Sequence, residues 1–472
     1  MATDTVVQRT FPRLVIAGTH SGVGKTSIVL AILGALRHRG VHVQGFKVGP
    51  DFIDPMYHRE VTSAPSYNLD AWLMGRDGVQ RAFALAAPMD GVAIIEGVMG
   101  MFDGRATGSD GSTAEVAAIV RSPVLLVLDV GGMSRSAAAL VQGYARFDPN
   151  VRVAGVVLNR VGGPRHYELV KTAIEEQAGV VVWGYLPWND GLVLPERHLG
   201  LVPVGEDAAF RRVCAELGQA AERTIDLAAI LAAARSAPAL EVCSVEAPGA
   251  SAIRARIGVA RDAAFNFYYD ANLQWLRQWG AEVVEFSPLE DLELPTDVDG
   301  LYLGGGFPEV FAKGLSGNVS FIASLRRAHQ VGMPIYAECG GLMYLVEAIQ
   351  DAAGARYAMV GLLPGICRLT DRLQNFGYKE VISLRDSILG EAGMRTRGHE
   401  FHYSIWEGRP TDSSLYQTRS SRGDESAEGY SVESLTASYV HLHFDACPQV
   451  PQSLVEKATA FRRQRQAMAN PS

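Results

Sequence analysis

The stretch GTHSGVGKT, Gly18 to Thr26, decides how the first half of the chain folds. The apolar run Leu14–Ala17 precedes it and a helical pattern over Ser27–Arg39 follows. A glycine-rich turn between a strand and a helix is the setting that a phosphate-binding loop requires. Gly22 and Gly24 let backbone N–H groups close around phosphate oxygens, and the helix N-terminus adds partial positive charge. Lys25 is spaced to reach the β- and γ-phosphates of a bound nucleotide, and Thr26 to offer a hydroxyl to Mg2+. The first glycine is displaced: the G-x-x-x-x-G-K-[ST] spacing puts it at position 19, which here is Thr19. A tight turn with no ligand is the competing reading.

Outside this loop, strand-length apolar runs recur up to about residue 205, at Leu14–Ala17, Val41–Lys47, Val92–Ile95, Val124–Leu128, Val153–Leu158 and Val180–Gly184. Helical patterns such as Thr113–Val120 separate them. Runs that are apolar throughout predict a parallel sheet covered on both faces. Residues 206–236 read as helical, and the stretch Pro238–Ala252 carries Pro, Gly and Ser without a period. A second α/β series has strands at Ile257–Ala260, Ala281–Phe286, Gly300–Leu303, Ile335–Ala337 and Ser438–Leu442, with Gly408–Glu428 read as a polar surface loop. The expected organisation is a domain over 1–236, a linker over 237–253 and a domain over 254–472.

The 472 residues suit two domains, and 48% apolar content supplies both cores. With 43 basic and 51 acidic residues, the net charge of −8 gives no electrostatic case for a nucleic-acid partner. No apolar stretch reaches membrane-spanning length and the polar start does not read as a signal peptide. Five widely spaced cysteines, without C-x-x-C, argue against a disulfide framework or a thiolate zinc site and fit a reducing cytoplasm.

Two further stretches extend the nucleotide site. In KVGPDFIDPMYH (Lys47–His58) and IIEGVMGMFDG (Ile94–Gly104), carboxylates follow strand ends, where open α/β sheets bind ligands. Glu96 suits a Mg2+ ligand. Asp51 and Asp54 read either as helix caps or as site residues, Asp51 also as a metal ligand. Lys47 reads as a partner of the γ-phosphate or as a solvated lysine. Asn159, in VVLNRV, stands at a strand end and reads as a turn cap.

In the second half, YAECGGLMYL (Tyr336–Leu345) puts Cys339 on a strand-to-helix turn, where a helix N-terminus is expected to lower its thiol pKa. Gly340 and the turn LGGGFPE (Leu303–Glu309), with Gly305 and Gly306, offer N–H groups to a developing oxyanion. His441, in SYVHLHF, is the expected base for Cys339. An inert buried cysteine is the alternative. His399, His402, His441 and His443 could instead form a metal site, although HEFHYS lacks the H-E-x-x-H spacing.

The loop G-T-x-x-x-V-G-K-T resembles that of dethiobiotin synthetase and its ATP-dependent amidating relatives. The second half resembles a class I glutamine amidotransferase domain of the cobyric-acid-synthase type. GPDFIDPMYH, LPERHLGL (Leu194–Leu201) and GHEFHYS (Gly398–Ser404), with the domain order, resemble the cobyrinic acid a,c-diamide synthase family over about residues 10–450. The resemblance implies a dethiobiotin-synthetase-like P-loop domain fused to a class I amidotransferase α/β domain. It implies amidation of the a and c acetates of a corrinoid carboxylate, in cobalamin biosynthesis, through an acyl phosphate, with ATP and glutamine as co-substrates. Lys47, Asp51 and Asp54 would then act at the acyl-phosphate step and Asn159 at the adenine. Ammonia would pass between domains, Arg135, Arg197 and His198 would meet the anionic ring, and a homodimer stays open. Other side chains of the corrin ring, as for cobyric acid synthase, or a related tetrapyrrole such as nickel-sirohydrochlorin are alternative substrates. A partition-type binding ATPase with an inactive second domain is another reading, but it lacks an extra lysine at Thr19-His20. The wider amidotransferase class often has H-x-E where this chain has His441 and His443, which leaves the third member of the thiol site open.

Overall fold

The computed structural model describes residues 6–105, 108–189, 191, 208–243 and 253–469. They fall into two compact units, Met1–Val245 and Glu246–Ser472.

The first unit is built on a seven-stranded, all-parallel sheet. Its spatial order is Tyr67–Leu69, Val43–Val48, Val92–Glu96, Arg13–Gly18, Val124–Asp129, Val153–Val161 and Val182–Pro187. The strand entering the phosphate loop is central and wholly buried, because residues on its two sides feed separate cores. Val15 and Ala17 pack in one, Leu14 and Ile16 in the other. A continuous apolar run is what such a doubly covered strand needs. Helix Lys25–His38 starts directly after Gly24, whose φ of 90° is left-handed. A Cβ there would fall 2.1 Å from Asn159 Nδ2. Glycine is therefore required twice over at this position.

Part of the expected linker is a strand. Leu240–Cys243 pairs antiparallel with Val6–Arg9, because Leu240 and Val242 alternate into the first core. The buried Arg13 guanidinium also donates to Pro238 O at 2.6 Å, which ties this segment to its own unit.

The second unit has a six-stranded sheet ordered Ala281–Phe286, Ala255–Ala260, Gly300–Leu303, Ile335–Glu338, Leu435–Ser438 and Tyr430–Val432, antiparallel only in the last pair. Sequence reading missed most of what surrounds it. An antiparallel sheet runs Glu425–Glu428, Tyr416–Ser420, Asn375–Ser383, Arg395–His402 and His441–Leu442. Gly408–Glu428 is thus not simply a surface loop: it carries two strands and the fully buried Tyr416. The run Ser438–Leu442 also divides. Its first residue ends one sheet, the chain bends at Tyr439–Val440, and His441 enters the other. Ser438 Oγ accepts from Val440 N and Glu428 from Tyr439 N, so the bend is held by side chains. Among the described residues no helix is long and apolar enough to cross a membrane.

Candidate functional site

Five side chains of the first unit meet beside the phosphate loop. Thr26 Oγ1 donates to Glu96 Oε1 at 2.7 Å and lies 3.5 Å from Asp54 Oδ1. Lys47 Nζ bridges the carboxylates, 2.5 Å from Asp54 and 3.2 Å from Glu96, and also donates to Gly97 O. His58 Nε2 sits 2.7 Å from the other Glu96 oxygen, while its Nδ1 meets Ser66 Oγ at 3.0 Å. Lys47 is 3% exposed, so it is not a solvated surface lysine. Burial opposes every charge here. At Glu96 it is outweighed by Lys47, His58 and Thr26, which hold the carboxyl below its ordinary range. Asp54 is pushed up by burial and then by Glu96, more than Lys47 offsets. One lysine thus serves the buried Glu96 and the half-buried Asp54, and hard oxygen donors from Thr26, Glu96 and Asp54 converge. That donor set fits Mg2+.

Lys25 donates to Met99 O at 2.6 Å and His20 O at 3.3 Å, carbonyls of the two loops flanking it. Burial, then the charge of Lys47, lowers its pKa to about 8, a deficit that an incoming polyphosphate reverses. The displaced glycine has a packing cause. A Cβ on Gly18 would fall 2.5 Å from Val23 Cγ1 and 2.8 Å from Lys25 Cγ, so the lysine stem needs a bare Cα beneath it.

Asp51 makes capping hydrogen bonds and also lies within electrostatic reach of Lys47 and Asp54. Its Oδ1 accepts from Ile53 N (2.7 Å) and Asp54 N (3.1 Å) at the start of helix Ile53–Thr62, and Asp54 is the aspartate within reach of Thr26. Asn159 donates to Val23 O at 3.0 Å and braces the phosphate loop rather than capping a turn. Arg135 is exposed at the start of helix Ser136–Phe147. Arg197 and His198, with LPERHLGL, lie outside the described residues.

In the second unit, Cys339 leaves its strand with φ 46° and ψ −101°, a backbone conformation that L-residues rarely adopt. It is held there by Cys339 N donating to Ser438 O (2.8 Å) and Met343 N donating to Cys339 O (2.9 Å). The Gly340 N–H faces the sulfur. Gly340 packs on the neighbouring glycine turn: a Cβ on it would lie 2.9 Å from Gly306 N and 3.3 Å from Gly305 C. Gly305 in turn lies under His441, whose Cε1 would be 2.5 Å from an added Cβ. Sulfur turn, glycine turn and imidazole are therefore contiguous. The expected lowering of the thiol pKa is overturned. Burial first, then Glu309 and Glu338, push the thiol up, and the following helix, Gly340–Leu345, is too short to offset them.

The strand of His441 stops at Leu442, and His443 caps the turn Phe444–Ala446 while lying against Tyr269. His402 stacks on Tyr439 with its Nδ1 on Ser404 O. Among the described residues the four histidines form no metal-ligating group.

Gly305→Ala tests the contact between the glycine turn and His441. Its methyl group displaces the imidazole, and a shift of about 1 Å costs roughly a hundredfold in rate. Glutamine hydrolysis is expected to fall by about that factor while ammonia-supported turnover holds, with the melting temperature somewhat lowered by crowding against Phe267. Unchanged glutamine hydrolysis would show that His441 is not required in this position.

Two residues were overlooked in the sequence. His58 lies one helical turn beyond Asp54, a spacing that puts both on one face, so its pairing with Glu96 was readable. Glu338, a charge at the end of an apolar strand, lies 3.7 Å from His441 Nδ1, and nothing in the spacing of 338 and 441 announced it.

Comparison with known proteins divides the chain in the same way. Residues 14–202 match the CobQ/CobB/MinD/ParA nucleotide binding domain, and residues 256–448 the CobB/CobQ-like glutamine amidotransferase domain. The cobyrinate a,c-diamide synthase of Priestia megaterium is 44% identical over 454 residues, 96% of this chain and 98% of that protein. The enzyme of the same name from Dehalococcoides mccartyi (strain CBDB1) is 42% identical, over 96% and 99%. That of Leptospira interrogans serogroup Icterohaemorrhagiae serovar copenhageni is 44% identical, over 94% and 98%. With both halves matched in order and the likeness running nearly end to end, the chain belongs to the cobyrinate a,c-diamide synthase family.

Proposed function

We propose that the chain uses ATP and glutamine to amidate the a and c acetate carboxylates of cobyrinate or its metal-free counterpart. The observation that carries the reading is the pairing, in one chain, of a phosphate loop backed by Thr26, Lys47, Asp54 and Glu96 with a strained thiol turn packed on a glycine turn that lies under His441.

In the second unit, His441 takes the thiol proton as sulfur attacks the glutamine side-chain carbonyl carbon. N–H groups of Gly306 and Gly340 receive the oxyanion. The C–N bond then breaks, the proton passes from His441 to the departing nitrogen, and ammonia leaves. Water hydrolyses the thioester to glutamate and restores the thiol. In the first unit, a substrate carboxylate oxygen attacks the γ-phosphorus and the bond to ADP breaks. Ammonia adds to the resulting acyl phosphate, and inorganic phosphate departs with one carboxylate oxygen. Gly22, Gly24 and Lys25 hold the phosphates, and Asn159 keeps that loop in place. Thr26, Glu96 and Asp54 would hold Mg2+, which when bound neutralises phosphate charge. Lys47 balances the two carboxylates and faces the transferring group. Arg135, Arg197 and His198 remain candidates for meeting the anionic ring.

Asp51 and Asp54 separate by stability. Asp51→Ala removes a cap, worth about 0.5–2 kcal/mol, and is expected to lower the melting temperature with a modest loss of turnover. Asp54→Ala is expected to cut ammonia-supported turnover by about one to three orders of magnitude, or ~1.4–4 kcal/mol of transition-state stabilisation. Thermal unfolding and ammonia-supported rates of the two variants, measured together, decide the matter. Equal turnover losses would place Asp51 in the chemistry beside Asp54.

A further inference from the structure

One edge of the His441 ring faces the glycine turn: a Cβ on Gly305 would lie 2.5 Å from Cε1 and 3.3 Å from Nε2. The opposite nitrogen, Nδ1, lies 3.7 Å from Glu338 Oε2. Glu338 immediately precedes Cys339 and is 1% exposed. Its carboxyl group is fixed in direction. Oε1 accepts from the Tyr336 hydroxyl and from Leu442 N at 3.0 Å, and Oε2 accepts from the Tyr302 hydroxyl at 2.8 Å. The Leu442 bond ties the carboxylate to the residue after His441, so acid and imidazole are anchored to the same two-residue strand.

None of these three donors is charged. Among the described residues no lysine or arginine is ion-paired with Glu338. A buried carboxylate without a cation is costly, and an imidazolium at His441 is the charge that would compensate it. The separation is about half an ångström beyond hydrogen-bond reach, and contacts of this kind commonly tighten when substrate binds.

Resting on the reading that Cys339 and His441 hydrolyse glutamine, we infer that Glu338 is the third member of the thiol site. It acts as a positioning residue. Accepting from Nδ1–H, it keeps the Nε2 lone pair turned toward the glycine turn and the thiol, and it stabilises the imidazolium formed when the thiol proton arrives. The acid therefore stands next to the nucleophile in the chain, where the H-x-E arrangement puts it next to the base.

The competing role for Glu338 is purely architectural, as an anchor for two tyrosines and a backbone N–H. A double-mutant cycle on the full chain separates the two. Glutamine hydrolysis is measured for wild type, Glu338→Gln, Glu338→Asp, His441→Ala and the Glu338→Gln/His441→Ala double variant, with melting temperatures alongside. Glu338→Gln is expected to lower kcat about a hundredfold or more with little change in KM. Glu338→Asp, which keeps the charge, is expected to recover part of the loss and serves if the glutamine variant folds poorly. Once His441 is alanine, Glu338→Gln should cost nothing further. A fully additive double variant, or a rise in KM at constant kcat, would overturn the proposal. Wild-type hydrolysis by His441→Ala alone would instead overturn the underlying reading of the thiol site.

Discussion

Cys339→Ser is expected to lose glutamine-supported amidation, by about three orders of magnitude or more, while amidation supported by ammonium salts at alkaline pH stays near wild type. The reason lies in the resting state of the sulfur. Burial, Glu309 and Glu338 push the thiol above its ordinary pKa, so it is protonated until a base removes the proton. A thiol still yields a competent nucleophile when His441 takes that proton, whereas a serine hydroxyl is far harder to ionise. The left-handed turn at Cys339 survives, since serine is smaller and makes the same backbone hydrogen bonds. The nucleotide cluster belongs to the other unit and is untouched. Both nitrogen donors, assayed side by side on purified protein, provide the check. Full glutamine use by the variant would move the nucleophile elsewhere. Loss of ammonia use as well would make the thiol part of the fold or of the ATP site.

Glu96→Gln is expected to abolish amidation with either donor, a fall of about two to four orders of magnitude. Glu96 is fully buried, with one oxygen accepting from Thr26 and Lys47 and the other facing His58 Nε2, so an amide can keep these hydrogen bonds but not the negative charge. The change removes the charge that helps Asp54 balance Lys47, and with it an oxygen ligand for Mg2+. Lys47 keeps Asp54 as its counter-ion at 2.5 Å, so no buried charge is left unpaired and the melting temperature is expected to change little. The control is the thiol site: glutamine hydrolysis to glutamate should persist in the same preparation. Near-normal ATP-dependent amidation at modest Mg2+ would remove Glu96 from the nucleotide site.

The first unit was the more legible half. Its strands are buried on both faces, so they read as unbroken apolar runs, although their order in the sheet did not. Tyr67–Leu69 was missed because three residues give no period. Leu240–Cys243 was missed because its alternation is only four residues long and begins after Pro238. In the second unit the parallel strands were readable except Leu435–Ser438, which was placed at Ser438–Leu442, and the antiparallel ones were not, since their polar, half-exposed sequences look like loops. The sites divide in the same way. Lys25, Thr26, Glu96, Cys339 and His441 each stand at a strand end or turn, where position alone signals chemistry. Whether Asp51 or Asp54 faces Thr26 depends on one turn of helix geometry, and the approach of Glu338 to His441 depends on a bend at Tyr439–Val440 that joins two sheets. Neither is written in local spacing.

The most direct test of the account follows atoms. Glutamine labelled with heavy nitrogen in its side-chain amide and a corrinoid acid labelled with heavy oxygen in its carboxylates are incubated with the protein, ATP and Mg2+, and products are read by mass spectrometry. The account predicts that each new amide carries the heavy nitrogen and that inorganic phosphate gains one heavy oxygen for every amide formed. Amide formation without heavy oxygen in phosphate would contradict the acyl-phosphate route, and ATP turnover that leaves the corrinoid carboxylates unchanged would contradict amidation itself.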